Sequence, residues 1–141
     1  MITRCANPLK KEEGNHVRIR ESVARTIAIS AVYAILEAYY VNLTYGGNLI
    51  SPYHVLVFLV GLIAGFDRNL KIWIANFLLY SVLEDAFYWV SKFQLPYQWG
   101  SEYIVIDHIP IYYIPYSLVA IILYVKGLRE EIEKGRGFSP P

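Results

Sequence analysis

Six ionisable residues sit in otherwise apolar stretches of the chain: Glu37, His54, Glu84, Asp85, Asp107 and His108. Carboxyl and imidazole groups in such surroundings can do three kinds of chemistry. A carboxylic acid can deliver a proton to an apolar substrate, and a neighbouring carboxylate or neutral imidazole can take it back. Three or four such groups in one place can hold a metal. A cluster of carboxylates can also grip a cation carried by a ligand or a partner. For acid/base work the sequence nominates Glu84 as donor, Glu37 or His108 as base, and Asp85 and Asp107 as supporting carboxyls. For metal the candidates are Glu37, Glu84, Asp107, His108 and His54, with a divalent ion as cofactor. The acid/base reading requires none.

Spacing predicts that these groups share helical faces, because residues at i, i+3, i+4 and i+7 stack on one side. Ser30, Tyr33, Glu37, Tyr40 and Thr44 form one stripe, and Asn76, Tyr80, Glu84, Tyr88 and Ser91 a second. His108, Tyr112 and Tyr116 suggest a third, on a helix kinked by Pro110 and Pro115. Tyr40, Tyr80, Tyr88, Tyr112 and Asn76 are thereby expected to line a ligand pocket. Aromatic faces stabilise cations, and Tyr and Trp also gather at membrane interfaces without catalytic purpose.

The elements that must carry these stripes are long and apolar. Of 141 residues, 55% are hydrophobic and 18% charged, against about 25% charged in soluble domains, and the mean hydropathy is +0.32. Runs of roughly 20 apolar residues suffice to cross a bilayer. The sequence predicts an all-α, single-domain, four-helix transmembrane bundle with spans at about 26–45, 50–66, 71–91 and 103–125. A polar N-terminal tail (1–20), without the pattern of a cleaved signal peptide, and a flexible C-terminal tail (135–141) flank it. Asn15 is expected to cap the first helix, Glu21 to pair with Arg25 at i,i+4, and Ser51-Pro52 to start the second helix. The run 129–134 reads as a solvated extension of the last helix.

Charge placement favours four spans over three with a re-entrant segment at 53–66. Four spans put twelve of the 13 Lys and Arg on the side of the termini and Lys92 alone on the other, whereas the re-entrant arrangement divides them seven to six. Positive residues stay cytoplasmic, so the expected topology is up-down-up-down, multi-pass in the cell membrane, with both termini inside. Glu37, Glu84, Asp85 and Asp107 then lie in the outer half, roughly 10–13 Å deep. No Lys or Arg occupies the interior of a span. Buried charge needs compensation, so the carboxyls must hold protons, a cation, or a partner's positive group.

Several functions are excluded or disfavoured. A net charge of +1 offers no field for nucleic acid. No phosphate-binding glycine loop occurs, lone Cys5 has no catalytic company, and Glu13-Gly-Asn-His16 mimics a di-iron spacing in the polar tail only. Gly61-xxx-Gly65 permits close helix approach, either within the bundle or at a homodimer seam. Expected partners are membrane lipid and a second copy or larger membrane complex. The acidic pair in Leu83-Glu84-Asp85-Ala86-Phe87 resembles those of intramembrane lycopene cyclases, although the proline usual before that pair is absent. The resemblance implies carboxyls that protonate a polyene. The expectation is an acid/base isomerase, cyclase or hydratase on an isoprenoid-type lipid; the alternative is a non-catalytic subunit or a cation-binding or small-ligand-binding membrane protein.

Overall fold

The computed structural model describes residues 8–40, 52–98 and 103–135, with side chains for 14–39, 52–98 and 103–134. Among them are four helices, α1 (Pro8–Tyr40), α2 (Pro52–Ala64), α3 (Leu70–Ser91) and α4 (Tyr113–Gly135), and a hairpin of β1 (Val105–Ile106) and β2 (Ile109–Pro110). Contacts fix the helix directions. Arg18 of α1 meets Glu131 of α4, Arg25 meets the last carbonyls of α2, and Asn69 before α3 meets Gly127 of α4. At the other end, Tyr39 of α1 donates to Ser91 O of α3. Successive helices therefore alternate in direction, and residues 18, 67 and 131 share one end, called here the basic end.

α3 contacts all three other helices, α1 and α4 most extensively. The reason lies in the face α1 turns inward. Ser22, Thr26, Ser30, Ala34 and Ala38 recur every four residues and are all buried, a small-residue stripe that lets two backbones approach closely. Its hydroxyls are satisfied along their own helix: Ser22 Oγ donates to Ile19 O, Thr26 Oγ1 to Ser22 O and Ser30 Oγ to Thr26 O. Asn76 of α3 is fully buried opposite, donating to Ser22 Oγ and Gly65 O and accepting from the Tyr124 hydroxyl of α4. The outer faces carry Ile27, Val32, Leu36, Leu59, Ile63, Leu118 and Ile122, all exposed. Polar groups inside and aliphatic groups outside is the arrangement suited to a lipid solvent.

The GxxxG pair faces α3. A Cβ at Gly61 would lie 2.5 Å from Tyr80 Cδ1, and one at Gly65 would lie 2.9 Å from Asn76 Cβ. The glycines thus serve packing inside this chain.

The basic end is more ordered than its sequence suggests. α1 begins at Pro8, so residues 8–20 are helix rather than tail, and Asn15 lies inside the helix instead of capping it. The 129–134 run is not simply solvated. Glu131 is buried, where it accepts from Arg18 Nη2 at 2.9 Å and Asn69 Nδ2 at 3.1 Å. Asp67 is likewise buried, accepting the Asn69 amide at 2.8 Å beside the Arg18 guanidinium. Asn69 Oδ1 caps α3, supplying an acceptor for otherwise orphaned first-turn amides. Arg25 and Asn76 do the converse for α2: Arg25 donates to Ala64 O and Phe66 O, and Asn76 to Gly65 O. The expected Glu21–Arg25 pair is absent from the described ion pairs. On the surface Lys71 hydrogen-bonds Glu130 and holds that carboxyl below its usual range. Its folded value lying below the unfolded one, this pair supports the fold above the ordinary carboxylate range and ceases to as pH falls through the depressed value. Both side chains are more than a third exposed, so the effect is small.

The fourth apolar run contradicts the expected span at its start. The hairpin occupies 105–110 and helix begins only at Tyr113. β-Branched Ile104, Val105 and Ile106 favour extended backbone, and Pro110 sits in the short strand β2, where its missing N–H is tolerated. Asp107 and His108 form the two-residue turn with φ of 47° and 62°, the left-handed pair a tight hairpin requires. Pro115, the third residue of α4, falls in the first turn, where no intrahelical bond is lost, so it does not kink the helix. Residues 45, 51, 101 and 136–141, on which other boundaries were expected, lie outside the described residues.

The Gly61 contact yields a test. Gly61→Ala should lower stability by about 1–3 kcal/mol through overpacking against the Tyr80 ring, seen as a reduced thermal unfolding midpoint in detergent. Gly14→Ala, with nothing within 4 Å of the added methyl, should instead stabilise α1 by up to about 1 kcal/mol.

Candidate active site

Glu37 is the residue one turn beyond the Tyr33–Ala34 level of α1, and Glu84 one turn beyond Tyr80 on α3. Since the small-residue stripe brings these helices together, Glu37 and Glu84 are close neighbours, only 8% and 9% exposed. Tyrosines surround them. Tyr53, in the first turn of α2, stands against both Glu37 and Tyr33. Tyr80 is 0% exposed, lies near Glu84, Tyr33 and Glu37, and its hydroxyl has no hydrogen-bond partner among the described residues. Tyr88 lies near the same carboxyls and turns its ring edge-on to Trp89 at 5.3 Å. All described ion pairs lie at the opposite, basic end, so none neutralises this pair.

Asp85 is rotated by about 100° from Glu84 on the helix, and the structure gives it a different neighbourhood. Its Oδ2 accepts from Tyr103 Oη and Tyr113 Oη, each at 2.7 Å. Trp89 Nε1 donates to Tyr103 Oη at 2.8 Å. Tyr112 lies close by and packs edge-on against Tyr113 and Tyr116. This arrangement joins α3 to the segment before the hairpin and to the start of α4. It fixes a fold junction, with two hydroxyl donors on one oxygen of the carboxyl.

The remaining candidates separate from the pair. Asp107 and His108 are exposed in the hairpin turn, and His108 Nδ1 lies 2.9 Å from Pro96 O; neither is the helical pocket residue that the sequence predicted, because the chain is not helical there. His54 is half-buried in the first turn of α2, its ring 5.5 Å from that of Tyr53. Asn76 is two turns from Glu84 toward the basic end, with its amide committed to Ser22, Gly65 and Tyr124. Tyr112 belongs with Asp85. The side chain of Tyr40 lies outside the described residues. The five metal candidates are not brought together, and no group of three or more His, Cys, Asp or Glu among the described residues could hold a metal ion. Sequence reasoning missed Tyr53 as a neighbour of Glu37; its position at the start of α2, one residue before His54, carries no periodic signal. It also missed the Tyr103 and Tyr113 anchors of Asp85, which depend on a hairpin no hydropathy window detects.

The two carboxyl environments predict different responses to substitution. Asp85→Ala should leave two tyrosine hydroxyls without their acceptor and destabilise by about 1–3 kcal/mol. Limited proteolysis should then quicken within residues 93–112 while cleavage elsewhere is unchanged.

Comparison with known proteins adds one observation on membrane character. No family model matches the chain, and no solved structure matches it. The chain is 33% identical over 104 residues, 73% of its length, to a protein of Acidianus filamentous virus 2 (isolate Italy/Pozzuoli) named "Putative transmembrane protein ORF202". The chain spans about half the length of that curated relative, the match covering 50% of it. Within this chain, residues Gly14–Tyr39 of α1 are long and apolar enough to cross a membrane. Relative, candidate span and outward aliphatic surface agree on a mostly helical protein of membrane character.

Proposed function

We propose that the protein is a four-span membrane bundle with both termini in the cytoplasm, and that Glu37 and Glu84 form an acid/base centre in the outer half of the bilayer. The observation that carries this reading is the burial of two neighbouring carboxyls on the α1–α3 seam with every described ion pair elsewhere. Like charges buried side by side are costly to ionise together, so in this reading the two groups hold one proton between them. A centre that holds one proton between two carboxyls has both a donor and an acceptor in place. Alternating helix direction supports the topology, since it puts Arg18, Arg25, Arg68 and Lys71 at one end and Lys92 at the other. The aliphatic exterior supports residence in lipid.

The substrate class follows from what such a centre can reach. An unsaturated isoprenoid-type lipid enters from the bilayer. Glu84 adds its proton to one alkene carbon, leaving a carbocation, and Glu37 as carboxylate removes a proton from an adjacent carbon, giving the shifted double bond. Tyr80 and Tyr88 face the cationic stage through their rings, a stabilisation of about 2 kcal/mol when desolvated. Asp85 acts on the fold and takes no part in the proton transfer. No metal is needed for this chemistry.

The test is incorporation of solvent deuterium. Purified protein incubated with a polyprenyl lipid in deuterated water should leave deuterium on carbon, read by mass spectrometry, and Glu84→Gln or Glu37→Gln should abolish it while thermal unfolding stays cooperative. Lack of incorporation by the unaltered protein would remove the isomerase reading. Infrared spectra with isotope-labelled glutamate test the pair itself: a carboxylic-acid carbonyl band lost in Glu84→Gln is expected, and spectra with carboxylate bands alone would refute a shared proton.

A further inference from the structure

At the basic end, α2 stops at Ala64 and the chain turns into α3, leaving an open groove of about 420 Å³ lined by Arg25, Leu62, Ile63, Phe66 and Trp73. Its walls are apolar and rigidly set. Trp73 Nε1 donates to Leu62 O at 2.8 Å, and the Phe66 and Trp73 rings meet edge-to-face at 5.3 Å. Ile63 is 74% exposed along the groove. One positive charge stands in this apolar lining. Arg25 directs Nε to Ala64 O and Nη2 to Phe66 O, which pins the guanidinium beside the groove and leaves Nη1 outside those two bonds. Arg68, in the turn between α2 and α3, is exposed at the same end. Asp67, between them in sequence, is buried against Arg18 and does not face out.

We infer that this groove is a binding site for one anionic phospholipid of the cytoplasmic leaflet. The acyl chain packs over Leu62, Ile63, Phe66 and Trp73, and the phosphate meets Arg25 and Arg68. This rests on the membrane topology proposed above. The size suits one ligand, since small-molecule sites run to about 300–1,000 Å³, and an apolar floor with a cation at one end matches a lipid's own division into tail and anionic head. Basic residues at the cytoplasmic surface attract anionic lipid, and the aromatic pair Phe66–Trp73 lies where interfacial aromatics gather.

The experiment uses the full chain in vesicles of phosphatidylcholine containing a minor fraction of lipid brominated on its acyl chain, as either phosphatidylglycerol or phosphatidylcholine. Quenching of Trp73 is taken as the difference from Trp73→Phe. Brominated phosphatidylglycerol should quench at least about fivefold more effectively at equal mole fraction, the preference expected from each interfacial cation being about that factor. Arg68→Gln should reduce that preference without disturbing the bonds that cap α2, and Ile63→Phe, which fills the groove from an exposed position, should reduce quenching by both lipids. Equal quenching by the two lipids in the unaltered protein would overturn the inference and leave the membrane topology standing. No quenching by either would overturn the topology as well.

Discussion

The close approach of α1 and α3 is the constraint on which the rest of the structure depends. It exists because α1 offers Ser22, Thr26, Ser30, Ala34 and Ala38 at every fourth position. In a lipid solvent there is no hydrophobic drive to bring two helices together, so association relies on dispersion contact and satisfied polar groups. Small side chains provide the first, and hydroxyls that bond back to their own helix remove the penalty for the second. Glu37, one residue before Ala38 on the same helix, is thereby brought beside Glu84.

The basic end locks this approach in place by capping helices with side chains from their neighbours. Asn69 caps α3 while bonding α4, Arg25 of α1 closes the end of α2, and Asn76 of α3 ties α1, α2 and α4 together. Each bond satisfies a terminal backbone group and crosses between helices at once. Helix ends that would otherwise need water are thus completed inside the protein. Arg18 holds the two buried carboxylates Asp67 and Glu131 in the same arrangement, so the ion pairs of the described structure are gathered at this end.

Much of this was legible from periodicity. The helices at α1, α2 and α3, the stripes through Glu37 and Glu84, and the angular separation of Asp85 from Glu84 all follow from 3.6 residues per turn. The start of the fourth run was not legible in the same way. Hydropathy registers Ile104, Val105, Ile106, Ile109 and Ile111 as span material, yet β-branching, Pro110 and a turn at Asp107-His108 give a hairpin. Asp107 and His108 left the site for that reason. The buried role of Glu131 was also invisible, because charge runs near a helix end read as solvated until a partner is found, and Arg18 lies 113 residues away. Pairings at such separation carry no local signal.

Adjacent residues Glu84 and Asp85 show how one helix can separate chemistry from architecture. A step of 100° turns one carboxyl toward α1, where its neighbour is another carboxyl, and the next toward α4 and the hairpin approach, where its neighbours are phenol donors. A carboxyl that accepts from two hydroxyls on different segments makes a joint between them. A carboxyl buried beside a second carboxyl is in a different position, since two like charges there would be costly. The joint through Asp85 ties α3 to the hairpin approach and to the start of α4, so a single turn of helix carries both this anchor and the carboxyl that faces Glu37.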